Sequence, residues 1–235
     1  MNPPSEAGTP RSLDHAFAQF VARLRPHLQE GDRVLDLACG SARLTTHLAG
    51  DPVRVFGLDT DASVVEDARL RGLPVQTGPA ERLPFSDRSF EVVVARRVLH
   101  HSRSPASVVR EALRTAARVV VFEEPGFAEP IAEEIDRLTK RWERRGGISH
   151  FEVVPARRVA ELAERSGGRA LLEVECSQGA YVRFDLDAAR DRYHELGKRV
   201  GTVGERRRFE VLLAEGRRLG NLPTTTEVCR ITLGA

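Results

Sequence analysis

The run from Val34 to Asp59 constrains this chain most. Val34-Leu35-Asp36-Leu37-Ala38 is apolar apart from one aspartate and breaks into Cys39-Gly40-Ser41-Ala42. A helical stretch over 42–49 follows, then a second apolar run, Val53–Leu58, that ends on Asp59. Continuous apolar runs without polar alternation suit strands covered on both faces, the environment of a parallel sheet. Glycine in the turn admits backbone conformations and close ligand approach that side chains forbid. The helix N-terminus beyond it favours a negative group. A carboxylate at the end of the second strand can accept hydrogen bonds from both hydroxyls of a ribose. The spacing is that of an adenosine site at the switch point of an α/β sheet.

The pattern continues on both sides of this unit. Leu13, Phe17, Phe20, Val21, Leu24 and Leu28 have helical spacing over 13–29. Residues 61–71 read as a helix capped by Thr60 or Asp61, followed by a strand over Leu73–Thr77. Phe90–Ala95 and Val119–Glu123 read as strands, with a helix over 104–116 between them. Such alternation implies a parallel sheet with helices on both faces. Further on, helices are expected over 129–145, 155–166, 187–200 and 205–219, and strands over Leu171–Tyr181 and Glu227–Leu233. With no repeat and no linker, residues 1–235 read as one domain, with 1–11 a disordered lead.

Composition narrows the partners. All but two of the 36 basic residues, Lys140 and Lys198, are arginine, yet the net charge is only +2. A dedicated nucleic-acid binder carries a basic excess or stripe, so no nucleic-acid partner is expected and the arginine skew reads as codon bias. No apolar run reaches membrane-spanning length, and no signal peptide is evident. Cys39, Cys176 and Cys229 lack metal or disulfide spacing. A cytoplasmic protein with free thiols is expected, without a metal.

A dinucleotide enzyme would carry GxGxxG directly after the first strand. Here Ala38-Cys-Gly-Ser-Ala-Arg43 has a single glycine and cannot form that pyrophosphate cradle. Instead, Val34-Leu-Asp-Leu-Ala-Cys-Gly-Ser-Ala-Arg-Leu-Thr45 resembles the first motif of class I S-adenosylmethionine-dependent methyltransferases, and Phe56-Gly-Leu-Asp59 their second. Gly78-Pro-Ala-Glu-Arg-Leu-Pro-Phe85 and Ser89-Phe-Glu-Val-Val-Val-Ala-Arg-Arg-Val-Leu-His-His101 resemble the third and fourth. The last two are most like the subgroup of quinone-biosynthesis and natural-product enzymes. Residues 108–124 resemble the fifth-strand unit.

The resemblance implies a Rossmann-like, seven-stranded, mostly parallel sheet of order 3-2-1-4-5-7-6 with the last strand antiparallel. It implies S-adenosyl-L-methionine as cofactor and S-adenosyl-L-homocysteine as product. Asp36 and Gly40 would line the methionine end, Asp59 would hold the ribose, Ala80 and Glu81 would lie beside the adenine, and Ala38 and Thr60 are counted with them as cofactor-binding residues. Arg96 would flank the cofactor at the end of strand four, and Phe17 or His15 would cover it. Three positions depart from the family. Ala42 stands where a second glycine is usual, Pro79 where an acidic residue is common, and residues 115–118 lack a Pro-Gly-Gly turn.

The expected activity is methyl transfer to an O or N atom of a small molecule by direct in-line displacement. Such transfer needs little beyond alignment and desolvation. His100 and His101 fall just past strand four, where one can act as general base; packing against the sheet or capping the next helix is the alternative. Glu123 and Glu124, read as following strand five, can bind an acceptor amine or lie in a solvated loop. Residues 126–154, with His150 and Phe151 in a possible lid, and 185–220 would build the acceptor pocket. Alternatives are a protein, peptide or RNA acceptor, a cofactor-binding scaffold without turnover, and a non-methyl reaction on the same fold. Arg43, Arg96 and Arg97 stand at the sheet's carboxyl edge, where a guanidinium can meet a cofactor carboxylate or an anionic acceptor.

Overall fold

A computed structural model describes residues 13–48, 50–127, 129–148, 153–176, 184–220, 222 and 224–233. The lead over 1–11, the loop residues His150 and Phe151, and the continuation of the sixth strand to Tyr181 lie outside them, as does the side chain of His15.

Seven strands form one sheet: β1 (Arg33–Leu37), β2 (Arg54–Asp59), β3 (Val75–Thr77), β4 (Phe90–Arg96), β5 (Ala116–Phe127), β6 (Arg169–Cys176) and β7 (Thr224–Thr232). Their order is β3-β2-β1-β4-β5-β7-β6. Strands β1 to β5 pair in parallel, and β7 runs antiparallel between β5 and β6. The expected sheet is therefore the observed one.

Alternate side chains of each strand point to opposite faces, which sorts the core in two. Leu35, Leu37, Val93, Ala95, Val120 and Phe122 face helices α4 (Pro105–Thr115) and α6 (Ala156–Glu164). Val34, Val92, Val94, Val119 and Val121 face helix α1 (Leu13–Leu24), which buries Phe17, Phe20, Val21 and Leu24 against them. Short α2 (Arg43–His47) adds Leu44 to that side, and α3 (Ala62–Leu70) seats Val65 and Ala68 over Cys39 and Val75.

A third core lies apart from the sheet. Helix α5 (Pro130–Arg145) packs Ile135, Leu138 and Trp142 against Tyr193, Phe209 and Leu212. The partner helices are α7 (Leu186–Arg192), which passes through a π-helical turn (Tyr193–Gly197) into α8 (Lys198–Val200), and α9 (Val203–Leu219). Thr202 and Glu205 close a capping box on α9. The Glu205 carboxylate also receives Arg141 and Arg145 from α5. Burial pushes that carboxyl up, and the Arg145, Thr202, Arg141 and Trp142 donors together hold it down at about 2.

Two sequence expectations need correction. Strand β5 does not end at Glu123. It runs to Phe127 because its far half pairs with β7, Glu124 opposite Glu227 and Phe127 opposite Thr224. Pro125 is tolerated there because β4 has already ended, so no β4 ladder needs its missing N–H. Glu123 and Glu124 therefore lie inside a strand and are buried, not in a solvated loop. The missing Pro-Gly-Gly turn has a simple counterpart: α4 ends at Thr115 and β5 begins at Ala116.

Candidate cofactor and acceptor site

The turn after β1 is built from alternating left-handed residues, Ala38 (φ 60°), Gly40 (φ 50°) and Ala42 (φ 55°). Only at Gly40 is that conformation free of Cβ strain. Hydrogen bonds hold the turn against the end of β2. The Cys39 N–H donates to the Leu58 carbonyl, and the Gly40 N–H donates to Asp59 Oδ2 at 2.8 Å. Asp59 Oδ1 accepts from the Asp61 N–H at 2.9 Å, and Asp61 caps α3. Both oxygens of Asp59 are thus fixed, and each keeps a lone pair for a further donor.

Beside this turn opens a cleft of about 460 Å³, within the usual range for small-molecule sites. Ala38, Asp59, Thr60, Ala80, Glu81 and His101 line it, together with Leu58, Gly78, Arg97, Val98 and Ser102. Ser102 donates its hydroxyl to Glu81 Oε1 at 2.6 Å, tying the segment after β4 to the segment after β3. Leu58, Gly78, Val98 and Ser102 belong to the cleft without having been singled out in the sequence. Their only signal is adjacency to the motifs.

Asp36 and Arg96 do not line this cleft; strand parity sends them to the α1 face. Arg96 pairs in register with Glu123, and its Nε donates to Glu123 Oε2 at 2.6 Å. The Arg96 guanidinium also stands 4.9 Å from the centre of the Phe17 ring, with Arg43 at 4.5 Å from the same ring and the His47 ring at 4.8 Å. Phe17 thereby fastens α1 over the ends of β1 and β4. Asp36 is buried and makes no hydrogen bond among the described residues. Burial pushes its carboxyl up to about 7, against the pull of Arg96 and with a further push from Asp59. Burial likewise raises the Glu123 carboxyl against the pull of Arg96.

The two histidines separate. His100 is buried and its Nδ1 lies 2.8 Å from Glu124 Oε2. Glu124 Oε1 accepts from the N–H groups of Val98 and Leu99, both at 2.8 Å. Glu124 therefore holds the turn after β4 from the α4 face, while Glu123, one residue earlier, holds Arg96 on the α1 face. His101 is exposed at the cleft, its ring 4.1 Å from that of His100. Among the described residues no group of three His, Cys, Asp or Glu side chains is arranged to hold a metal. No helix there is long and apolar enough to cross a membrane.

The sheet order is the one that the resemblance to class I S-adenosylmethionine-dependent methyltransferases implies, and part of the chain matches a methyltransferase family. Residues 35–120 match the model of a methyltransferase domain. A demethylmenaquinone methyltransferase from a Mycobacterium species is 34% identical over 116 residues, which is 48% of this chain and 49% of the relative. The chain thus spans about half the length of that curated relative. A 27-O-demethylrifamycin SV methyltransferase from Amycolatopsis mediterranei is 27% identical over 91% of this chain and 82% of its own. Among solved structures, the (4+2)-cyclase SpnF superposes with a TM-score of 0.63 at 18% identity, covering 95% of this chain and 85% of that one. At that identity the likeness is one of fold.

Proposed function

We propose that the chain binds S-adenosyl-L-methionine at the Gly40 turn and transfers its methyl group to an O or N atom of a small-molecule acceptor. The observation that carries this is Asp59, clamped between the N–H groups of Gly40 and Asp61 at the wall of the cleft. Its remaining lone pairs suit the two hydroxyls of a ribose. Asp36 supports the reading from the other side of the turn, as a buried carboxyl with no hydrogen-bond partner for its side chain among the described residues, which suits a cationic ligand group. Ala80 and Glu81 would flank the adenine, and Thr60 would close the ribose side. The relative matched along most of the chain is named for a rifamycin, which favours a small natural product as acceptor.

When bound, the cofactor supplies an electrophilic methyl group. The chain's part is to align the acceptor and exclude water. His101, exposed in the cleft, is the group to take the proton from an acceptor O–H or N–H. His100 and Glu124 position the turn that carries it, and Glu123 positions Arg96.

Calorimetric titration with S-adenosylhomocysteine tests the assignment. Saturable binding is expected, weakened at least about tenfold in Asp59→Ala, which loses the charge-assisted hydrogen bonds. No binding to the parent protein, or equal binding to the variant, would overturn it.

A further inference from the structure

Three arginines stand at the carboxyl edge of the sheet, and the fold treats them differently. Arg43 and Arg96 lie against Phe17, and Arg96 also pairs with Glu123. Arg97 is exposed, lines the cleft, and forms no ion pair among the described residues. The two carboxylates that share its cleft are engaged elsewhere, Asp59 with the N–H groups of Gly40 and Asp61, Glu81 with the Ser102 hydroxyl.

Arg97 is also held in a conformation that an arginine rarely adopts, with φ 54°. Its N–H donates to the Glu123 carbonyl at 2.7 Å, and the next two N–H groups donate to Glu124. These three bonds tie the turn after β4 to β5. Strand parity sends Arg96 to the α1 face, and the turn presents Arg97 to the cleft. Strained backbone kept in place at a site wall points to a side chain that has to be there.

We infer that Arg97 is a specificity-determining residue and that the acceptor carries an anionic oxygen group, a carboxylate or phenolate, which its guanidinium receives beside His101. The inference rests on the methyltransferase reading above and names its substrate class. The cofactor's own carboxylate is the competing source of negative charge. Ala38 and Asp59, counted among the cofactor residues, line the same cleft as Arg97, but Asp36 and Gly40, to which the family resemblance assigns the methionine end, do not.

The test titrates protein saturated with S-adenosylhomocysteine with benzoate and, in parallel, with its neutral counterpart benzamide. Benzoate is expected to bind about tenfold more tightly, as a charge-assisted pair in a partly open cleft should. Arg97→Gln should erase the preference and Arg97→Lys retain part of it, with affinity for S-adenosylhomocysteine unchanged within about twofold. Arg88→Gln is the control, because Arg88 has the same backbone conformation (φ 54°) at the opposite end of β4. Equal binding of the two probes to the parent, or a preference that survives Arg97→Gln, would overturn the inference. So would a loss of S-adenosylhomocysteine affinity in Arg97→Gln as large as the loss of benzoate affinity, because the charge would then belong to the cofactor. Failure of the parent to bind S-adenosylhomocysteine is a failure of the methyltransferase reading and shows before benzoate is added. The benzoate preference is then read on the protein alone, with the same expectation.

Discussion

Asp36 and Glu123 are buried carboxyls that share one guanidinium, Arg96. Burial raises Asp36 from an ordinary 3.8 to about 7, so over that interval the folded chain holds a proton that the unfolded chain has lost. Stability therefore falls as pH rises through the window and levels off above it. Asp36→Asn should flatten this slope: the urea midpoint of the parent should drop between pH 5 and 8 relative to that of the variant. Parallel curves for the two proteins would show that Asp36 titrates normally. The Asp36, Gly40 and Asp59 triad was legible in the sequence because each residue sits at a strand end or turn defined by its own neighbours. The pairs His100–Glu124 and Ser102–Glu81 were not, because the partners are 24 and 21 residues apart; the first meets only when β4 and β5 come into register, the second only when the segments after β3 and β4 come together.

At the level of elements, the helical assembly of α5, α7, α8 and α9 depends on how closely Trp142 approaches two glycines. A Cβ on Gly197 would stand 2.7 Å from the Trp142 ring, and one on Gly201 would stand 2.8 Å from Trp142 Nε1 and 2.5 Å from the Gly197 carbonyl. The backbone at Gly201 (φ −76°, ψ 145°) is open to any residue, so a substitution there acts through packing alone. Gly201→Ala should destabilise the protein by about 1–3 kcal/mol, read as a lower denaturant midpoint with unchanged slope. A variant as stable as the parent would mean that the Trp142 contact is looser than the structure has it. The helices themselves were visible in the spacing of Ile131, Ile135, Leu138 and Trp142. The π-helical turn at Tyr193–Gly197 was not, because it answers to Trp142 on another helix. The length of β5 escaped for a related reason: its far half is held by pairing with β7, which lies far along the chain.

Across the whole molecule, many of the arginines are paired with carboxylates in place. Arg33 pairs with Glu91, Arg114 with Glu111, Arg118 with Asp32, and Arg208 with Glu134. With a net charge of +2 and many of its guanidinia so engaged, the protein should bind RNA only weakly. Fluorescence titration with a bulk transfer-RNA mixture should give an affinity no tighter than about micromolar at physiological salt, falling steeply as salt is raised. A nanomolar complex that persists at high salt would point to an RNA acceptor instead. The sequence by itself determined the alternation of strands and helices and the adenosine-type turn, because both follow from periodicity and short-range backbone chemistry. Only the tertiary structure decided that Glu123 and Glu124 serve opposite faces of the sheet, that Arg96 is absorbed by the α1 side, and that Arg97 alone of the three edge arginines lines the cleft. Those outcomes depend on the register between strands far apart in the chain, where a shift of one residue exchanges the two faces.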